Sequence, residues 1–308
     1  MDTTVIESSE FIKVLSDGSV ERFIPLTAPA SLNLYNGYKC KDVTIDPLKP
    51  ITARMFIPST AVAAATLPVL VYFHGGGFCI GSTTWLGYHH FLGDLSATSE
   101  SIVLSVDYRL APENKLPIAY EDCYASLIWL TQTAESWLRN ADLSRVFLSG
   151  DSAGGNIAHQ VAIRAIRDKK CPVRIVGVIP IHPYFGSEKR TELEMRQGSS
   201  EDVKSNDMFW RLSIPEGVNR DYEGCNLEHM EVSVPEWSRF PNVLVFVAGL
   251  DFLKERGVAY AEFLKEKGVK EVRLMETKDE KHVFHVFRPD SESTRLLQKQ
   301  LKEFMYNI

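Results

Sequence analysis

Residues 147–160, FLSGDSAGGNIAHQ, set a serine between glycines where an apolar run meets a helical pattern. Residues 145–150, RVFLSG, have the β-branched and aromatic character of a buried strand. Asn156, Ile157, Ala158, Val161, Ala162 and Ala165 recur at helical spacing. Gly150, Ser152 and Gly154 thus form a G-x-S-x-G on a strand-to-helix corner, the context in which this motif presents a nucleophilic hydroxyl. The same pattern also occurs as an ordinary glycine-rich turn, so the chemistry needs further parts. A serine hydroxyl requires a base, a group that orients the base, and donors for the oxyanion that forms on attack.

In strand–turn–helix sites of this kind the chain order is serine, acid, histidine. Of the eight histidines, only His282 and His285 follow the last strongly apolar strand pattern. His282 is the expected base, with His285 as the alternative. Asp251 follows the run NVLVFVAGL directly and is the expected acid, placed at the carboxyl end of a strand where open sheets hold their ligands. Its competitor Asp279 stands three residues before His282 in the same loop, a poor position from which to orient the ring. Asp251 also has a plain reading as a helix cap. The donors are expected from Gly75, Gly76 and Gly77, which follow His74 after LPVLVYF, together with the amide of Ala153. A phosphate cradle is excluded, because no G-x-x-x-x-G-K-[ST] is present and no lysine follows the glycines. Cys79 reads as a small buried residue rather than a second nucleophile.

The elements that must carry these residues alternate. Strand patterns lie at 67–75, 101–108, 145–150, 173–181, 242–250 and 271–277. Helical patterns fill the gaps near 88–98, 117–133, 153–167, 253–267 and 291–306. Such alternation predicts an α/β fold with a mostly parallel central sheet and helices on both faces. Residues 34–46 and 51–58 read as antiparallel edge strands, and residues 11–24 as a small hairpin turning at Asp17 and Gly18. Residues 186–240 are too long for a plain connection. They are expected to form, with the N-terminal segment 1–35, a cap over the carboxyl edge of the sheet within a single domain of 1–308. Phe78, Phe209 and Trp210 are candidate substrate-binding residues, with core or cap packing as the alternative for Phe209 and Trp210.

Bulk properties narrow the classes. Hydrophobic residues make up 44% and charged residues 24%, sufficient for a large core. The formal net charge is −6 with no basic cluster, which excludes nucleic acid and anionic membrane surfaces as expected partners. The five cysteines show no C-x-x-C and read as free thiols of a reducing compartment. The first residues show no signal-peptide pattern and no apolar run approaches a membrane span, so the expected location is the cytoplasm, with the nucleus also open.

The segments HGGGF, VDYRLAPENKLPIAYEDC, GDSAGG, GLDFLKE and HVF, with FIKVLSDGSVERF near the start, resemble the plant carboxylesterases of the hormone-sensitive-lipase type. The resemblance covers nearly the whole chain. It implies the α/β-hydrolase fold with a cap, and a serine esterase acting on esters or lactones of small, fairly apolar metabolites. It implies Ser152 as nucleophile, Asp251 as acid and His282 as base, the last because the family pattern His-x-Phe reads here His282-Val283-Phe284. No metal or cofactor is implied, and the expected state is a monomer or weak dimer. In YRLAPE the turn is set by Pro112, and Arg109 and Glu113 are expected in internal polar contacts. The same family includes hormone receptors that lose the histidine and lyases or cyclases that alter the nucleophile or glycine loop. This sequence keeps all three, so a receptor or a lyase is the alternative reading.

Overall fold

The computed structural model describes residues 4–62, 66–198 and 200–308. Residues 1–3 of the expected N-terminal segment and residue 199 of the expected cap lie outside the described residues. The chain opens with β1 (Val5–Ser8), β2 (Ile12–Leu15) and β3 (Val20–Arg22), then β4 (Tyr38–Asp46), β5 (Ile51–Pro58) and β6 (Leu67–Phe73). It continues through α1 (Leu86–Ser99), β7 (Ile102–Asp107), α2 (Ile118–Gln132), β8 (Ala141–Asp151), α3 (Ala153–Arg167) and β9 (Ile175–Ile181). Residues 186–240, the expected cap, carry α4 (Glu192–Arg196), α5 (Glu201–Ser213) and α6 (Val234–Trp237). The remainder is β10 (Asn242–Ala248), α7 (Lys254–Glu266), β11 (Val272–Thr277), α8 (Phe284–Phe287) and α9 (Glu292–Tyr306).

The main sheet runs in the order β11-β10-β9-β8-β6-β7-β5-β4. From β11 to β7 the pairs are parallel; β5 joins β7, and β4 joins β5, antiparallel. Pattern explains place. All seven residues of β6 are buried, as a strand covered on both faces requires, whereas in outer-edge β4 only Tyr38 and Cys40 are buried and the second half alternates exposed with half-buried residues. Period-two alternation splits β6 between two cores. Val69, Val71 and Phe73 face the layer built on α2, α3 and α7, and Leu70 and Tyr72 face the layer built on α1 and α9. In α9 the buried Leu297, Leu301, Phe304 and Met305 form one helical stripe, and Ser291 caps its first turn.

The chain goes from β6 to β7 on one side and crosses to β8 on the other. The crevice at this switch point opens at the carboxyl ends of β6 and β8, where ligands bind in open α/β sheets. The glycine loop leaves β6 there and Ser152 leaves β8.

The expected N-terminal hairpin is a three-stranded antiparallel sheet, because β1 adds to β2. Ile12 and Val14 dock it on Ile80 after the glycine loop and on Met208 and Leu212 of α5. Glu7–Arg211 and Arg22–Glu113 ion pairs tie it down, and Arg22 also donates to the carbonyls of Cys79 and Ala111. Arg109 pairs in two bonds with buried Asp122. Among the described residues no helix is long and apolar enough to cross a membrane. All five cysteines are free thiols.

Candidate active site

Ser152 sits between β8 and α3 with φ +52° and ψ −119°, a strained corner for a residue with a side chain. The neighbours over-determine it. The Ser152 amide donates to Ile181 O at 2.9 Å, and its carbonyl accepts from the amides of Gly155 and Tyr184, both at 3.0 Å. The motif glycines follow from space: a Cβ on Gly154 would lie 1.9 Å from the Phe73 carbonyl oxygen, and one on Gly150 would lie 2.4 Å from the same atom. Only hydrogen at these positions lets β8 turn into α3 against the end of β6.

The loops after β10 and β11 bring the other two residues to the serine. His282 Nε2 lies 2.9 Å from Ser152 Oγ, and His282 Nδ1 lies 2.6 Å from Asp251 Oδ2. The other oxygen of Asp251 accepts from the Leu253 amide at 2.9 Å. The two loops are strapped together by Gly249 N–H to Thr277 O and Leu250 N–H to Glu280 O, both 2.9 Å. Burial alone would push the His282 pKa down and the Asp251 pKa up. Each is outweighed by the partner's charge and hydrogen bond, so His282 lies above the ordinary histidine value and Asp251 below the ordinary carboxylate value. His285 is buried with its ring edge-on to Phe91 at 4.6 Å, away from this line, and neutral, with its pKa pushed down by burial to about 3. Among the described residues Asp279 makes no bond to His282.

The glycine loop is fixed from beneath. The Gly75 amide donates to Tyr88 Oη at 2.8 Å and to Asp151 Oδ1 at 3.1 Å. Tyr88 and Tyr72 in turn donate to the Asp151 carboxylate at 2.9 and 2.7 Å. His74 Nδ1 meets the Gly75 carbonyl at 2.8 Å, and its ring stacks on Tyr108 at 4.3 Å. Gly75 is therefore spent on holding the loop. The amides of Gly76 and Gly77 have no acceptor among the described residues. Gly76 has φ +110° and Gly77 φ +56°, conformations that let two successive amides turn out of the loop. Asp151, Tyr72 and Tyr88 are absent from the sequence reading. Asp151 is legible only as an unspecified letter inside G-x-S-x-G, and no local pattern marks the tyrosines.

The aromatic candidates separate. Phe209, partly buried on α5, lies over the glycine loop, where a Cβ on Gly77 would meet its ring at 2.6 Å. Trp210 and Phe78 are placed otherwise than as pocket walls. Trp210 is fully buried and stacks on Tyr184 at 4.4 Å and 5° between planes, and Phe78 packs against Tyr120, Tyr184 and Trp210. Helical spacing explains the split, since adjacent residues of α5 point about 100° apart. Phe209 covers the glycine loop and Trp210 pins α5 to the core.

His182, Asp251 and His282 place donor atoms within 4.8 Å of one another. The set does not fit a cation. His182 Nδ1 accepts from the Val283 amide at 2.9 Å, and the His282 nitrogens are engaged by Asp251 and Ser152. A metal would have to break these bonds.

Residues 70–286 match the alpha/beta hydrolase fold family model. Probable carboxylesterase 6 of Arabidopsis thaliana is 44% identical over 261 residues, covering 82% of this chain and 76% of that protein. Probable carboxylesterase 7 of the same plant is 39% identical over 318 residues and 99% of each chain. Among solved structures, an esterase of Pyrobaculum calidifontis superposes with TM-score 0.73 at 29% identity, covering 87% of this chain and 84% of that one.

Proposed function

We propose, for a chain that belongs to the alpha/beta hydrolase fold family and has the plant carboxylesterases among its relatives, a serine esterase mechanism centred on Ser152. The protein is a carboxylic-ester hydrolase. The observation that carries the mechanism is the line Ser152 Oγ–His282 Nε2–His282 Nδ1–Asp251 Oδ2, at 2.9 and 2.6 Å. Ser152 Oγ attacks the ester carbonyl while His282 Nε2 takes its proton. Asp251 holds the tautomer with hydrogen on Nδ1 and stabilises the imidazolium. The tetrahedral oxyanion rests on the free amides of Gly76 and Gly77 and on that of Ala153 at the start of α3. Collapse expels the alcohol, which receives the proton from His282. A water then gives its proton to His282 and attacks the acyl-enzyme, and collapse releases the acid as His282 returns that proton to Ser152 Oγ.

The substrates are esters or lactones of small, fairly apolar metabolites. Phe209 over the glycine loop restricts the space beside the oxyanion and favours short acyl groups. The cap comprises the N-terminal sheet and residues 186–240. The enzyme acts in the cytoplasm, a setting supported by its five unpaired thiols, as a monomer or weak dimer. A binding-only role is not favoured, because a receptor has no use for a base aligned on the serine. The test is pre-steady-state release of p-nitrophenol from p-nitrophenyl butyrate. A burst of one equivalent followed by turnover is expected. Ser152→Ala should fold normally and lose at least about 10⁴-fold in kcat. Full activity in that variant would end this reading.

A further inference from the structure

We infer that His182 is a positioning residue, whose Nδ1 holds the backbone of the loop carrying His282 and so keeps the general base in line with Ser152. The inference rests on the assignment of His282 as that base.

His182 follows β9 directly, is buried, and is tied to the sheet by its own amide, which donates to Phe246 O at 2.8 Å. Its side chain reaches across to the loop after β11, where Nδ1 accepts from the Val283 amide at 2.9 Å. Val283 is the residue after His282, and its backbone is left-handed, φ +46° and ψ +36°. A β-branched residue is a genuine outlier there, and such a conformation persists only where surrounding contacts enforce it. The left-handed residue turns the chain from His282 into α8. Release of its amide frees the peptide joining His282 to Val283, and the His282 backbone with it.

The chemistry of His182 fits this task better than packing. Accepting at Nδ1 places its proton on Nε2, which is buried and has no partner among the described residues. An apolar side chain would fill the same space without an orphan donor. The histidine is surrounded by Asp251, His282 and His285, with the Phe284 ring 5.5 Å away. Burial, reinforced by the two neighbouring histidines and opposed only by Asp251, drives its pKa well below the ordinary value. The ring therefore stays neutral and its Nδ1 lone pair stays available while His282 gains and loses its proton. No signal in the sequence marks this contact, since the two residues stand 101 positions apart.

The test compares His182→Asn, His182→Gln and His182→Leu on p-nitrophenyl butyrate, with thermal unfolding of each. The asparagine amide oxygen falls near the place of Nδ1 and can accept from Val283. The glutamine amide falls near Nε2 instead, and leucine fills space without an acceptor. Expected are a kcat within about fivefold of wild type for asparagine and a loss of about 30- to 100-fold for glutamine and leucine, a scale set by ångström-size misplacement of a catalytic group. KM should stay within about twofold, and the acid limb of kcat/KM should move for glutamine and leucine only. Equal kcat values in asparagine and glutamine variants, both folded, would overturn the inference; so would a kcat loss that simply follows melting temperature. An absent burst in the wild-type enzyme would instead overturn the esterase mechanism.

Discussion

The floor of the active site and its roof are held by different physics. The floor consists of backbone turned back on itself and buried polar groups: Gly154 pressed against the Phe73 carbonyl, Gly75 clamped by Tyr88 and Asp151, and His282 strung between Asp251 and Ser152. These holding bonds are largely buried, and breaking one there costs about 1–3 kcal/mol. The roof's N-terminal sheet rests on a small apolar cluster around Ile12, Val14, Met208 and Leu212 and on ion pairs such as Glu7–Arg211, whose arginine is more than half exposed, while Trp210 anchors α5 in the main core. Such pairs contribute about 0–1 kcal/mol each. The contrast teaches a division of labour. On the proposed mechanism the floor sets the reaction, so substitutions there should cost most. On the same mechanism, substitutions in the roof should change which substrates are taken more than the rate of the reaction.

The largest effects should come from the floor. Asp251→Asn keeps the shape but favours the wrong tautomer of His282, and kcat should fall about 10⁴-fold with little change in melting temperature. If the loss were under about tenfold, Asp251 would be only a cap for α7. Tyr88→Phe should follow. It removes the hydroxyl that joins the Gly75 amide to Asp151, leaving that amide only its 3.1 Å bond to the carboxylate. Rotation of the glycine loop should cost about 10- to 100-fold in kcat, less than outright loss of an oxyanion donor, which costs about 10²–10³.

The pH profile sharpens the comparison further. His282 must be neutral to accept the serine proton, and its pKa is raised above the ordinary value of about 6.5 by Asp251. The acid limb of kcat/KM should therefore lie above pH 6.5 in wild type. It should shift downward in Asp251→Asn, which removes the carboxylate charge. A limb below 6.5 in wild type would contradict the assigned electrostatics.

The smallest rate effect should come from the roof. Phe209→Ala opens the space over Gly77, so turnover of an acetyl ester should change within about threefold while longer acyl esters gain. A loss on acetyl esters as large as that of Tyr88→Phe would break the division between floor and roof.

The same division governs what the sequence discloses. The strands are legible because fully buried parallel strands read as unbroken apolar runs, and α3 begins and ends where the spacing predicts, at 153–167. The order of Ser152, Asp251 and His282 along the chain is legible because each follows a strand at the carboxyl edge, Ser152 and Asp251 a buried apolar run and His282 the mixed edge strand β11. The side chains beneath the loop are not. Tyr72 and Tyr88 meet Asp151 across 79 and 63 positions, and nothing in their own neighbourhood marks them. Phe78 reads as a pocket wall because it follows the glycine loop, and Trp210 because it is a large residue of the inserted segment 186–240, whereas stacking on Tyr184 turns Trp210 inward. β1 is too short and too exposed to stand out, and it forms by pairing with β2. Local patterns disclose elements and corners; contacts between distant segments must be seen.

The central claim, that Ser152 carries the acyl group, is tested most directly by intact mass spectrometry after reaction with a serine-directed organophosphate, followed by peptide mapping. One adduct is expected, on Ser152, formed in step with loss of esterase activity. An adduct elsewhere, or activity that survives full modification of Ser152, would contradict it.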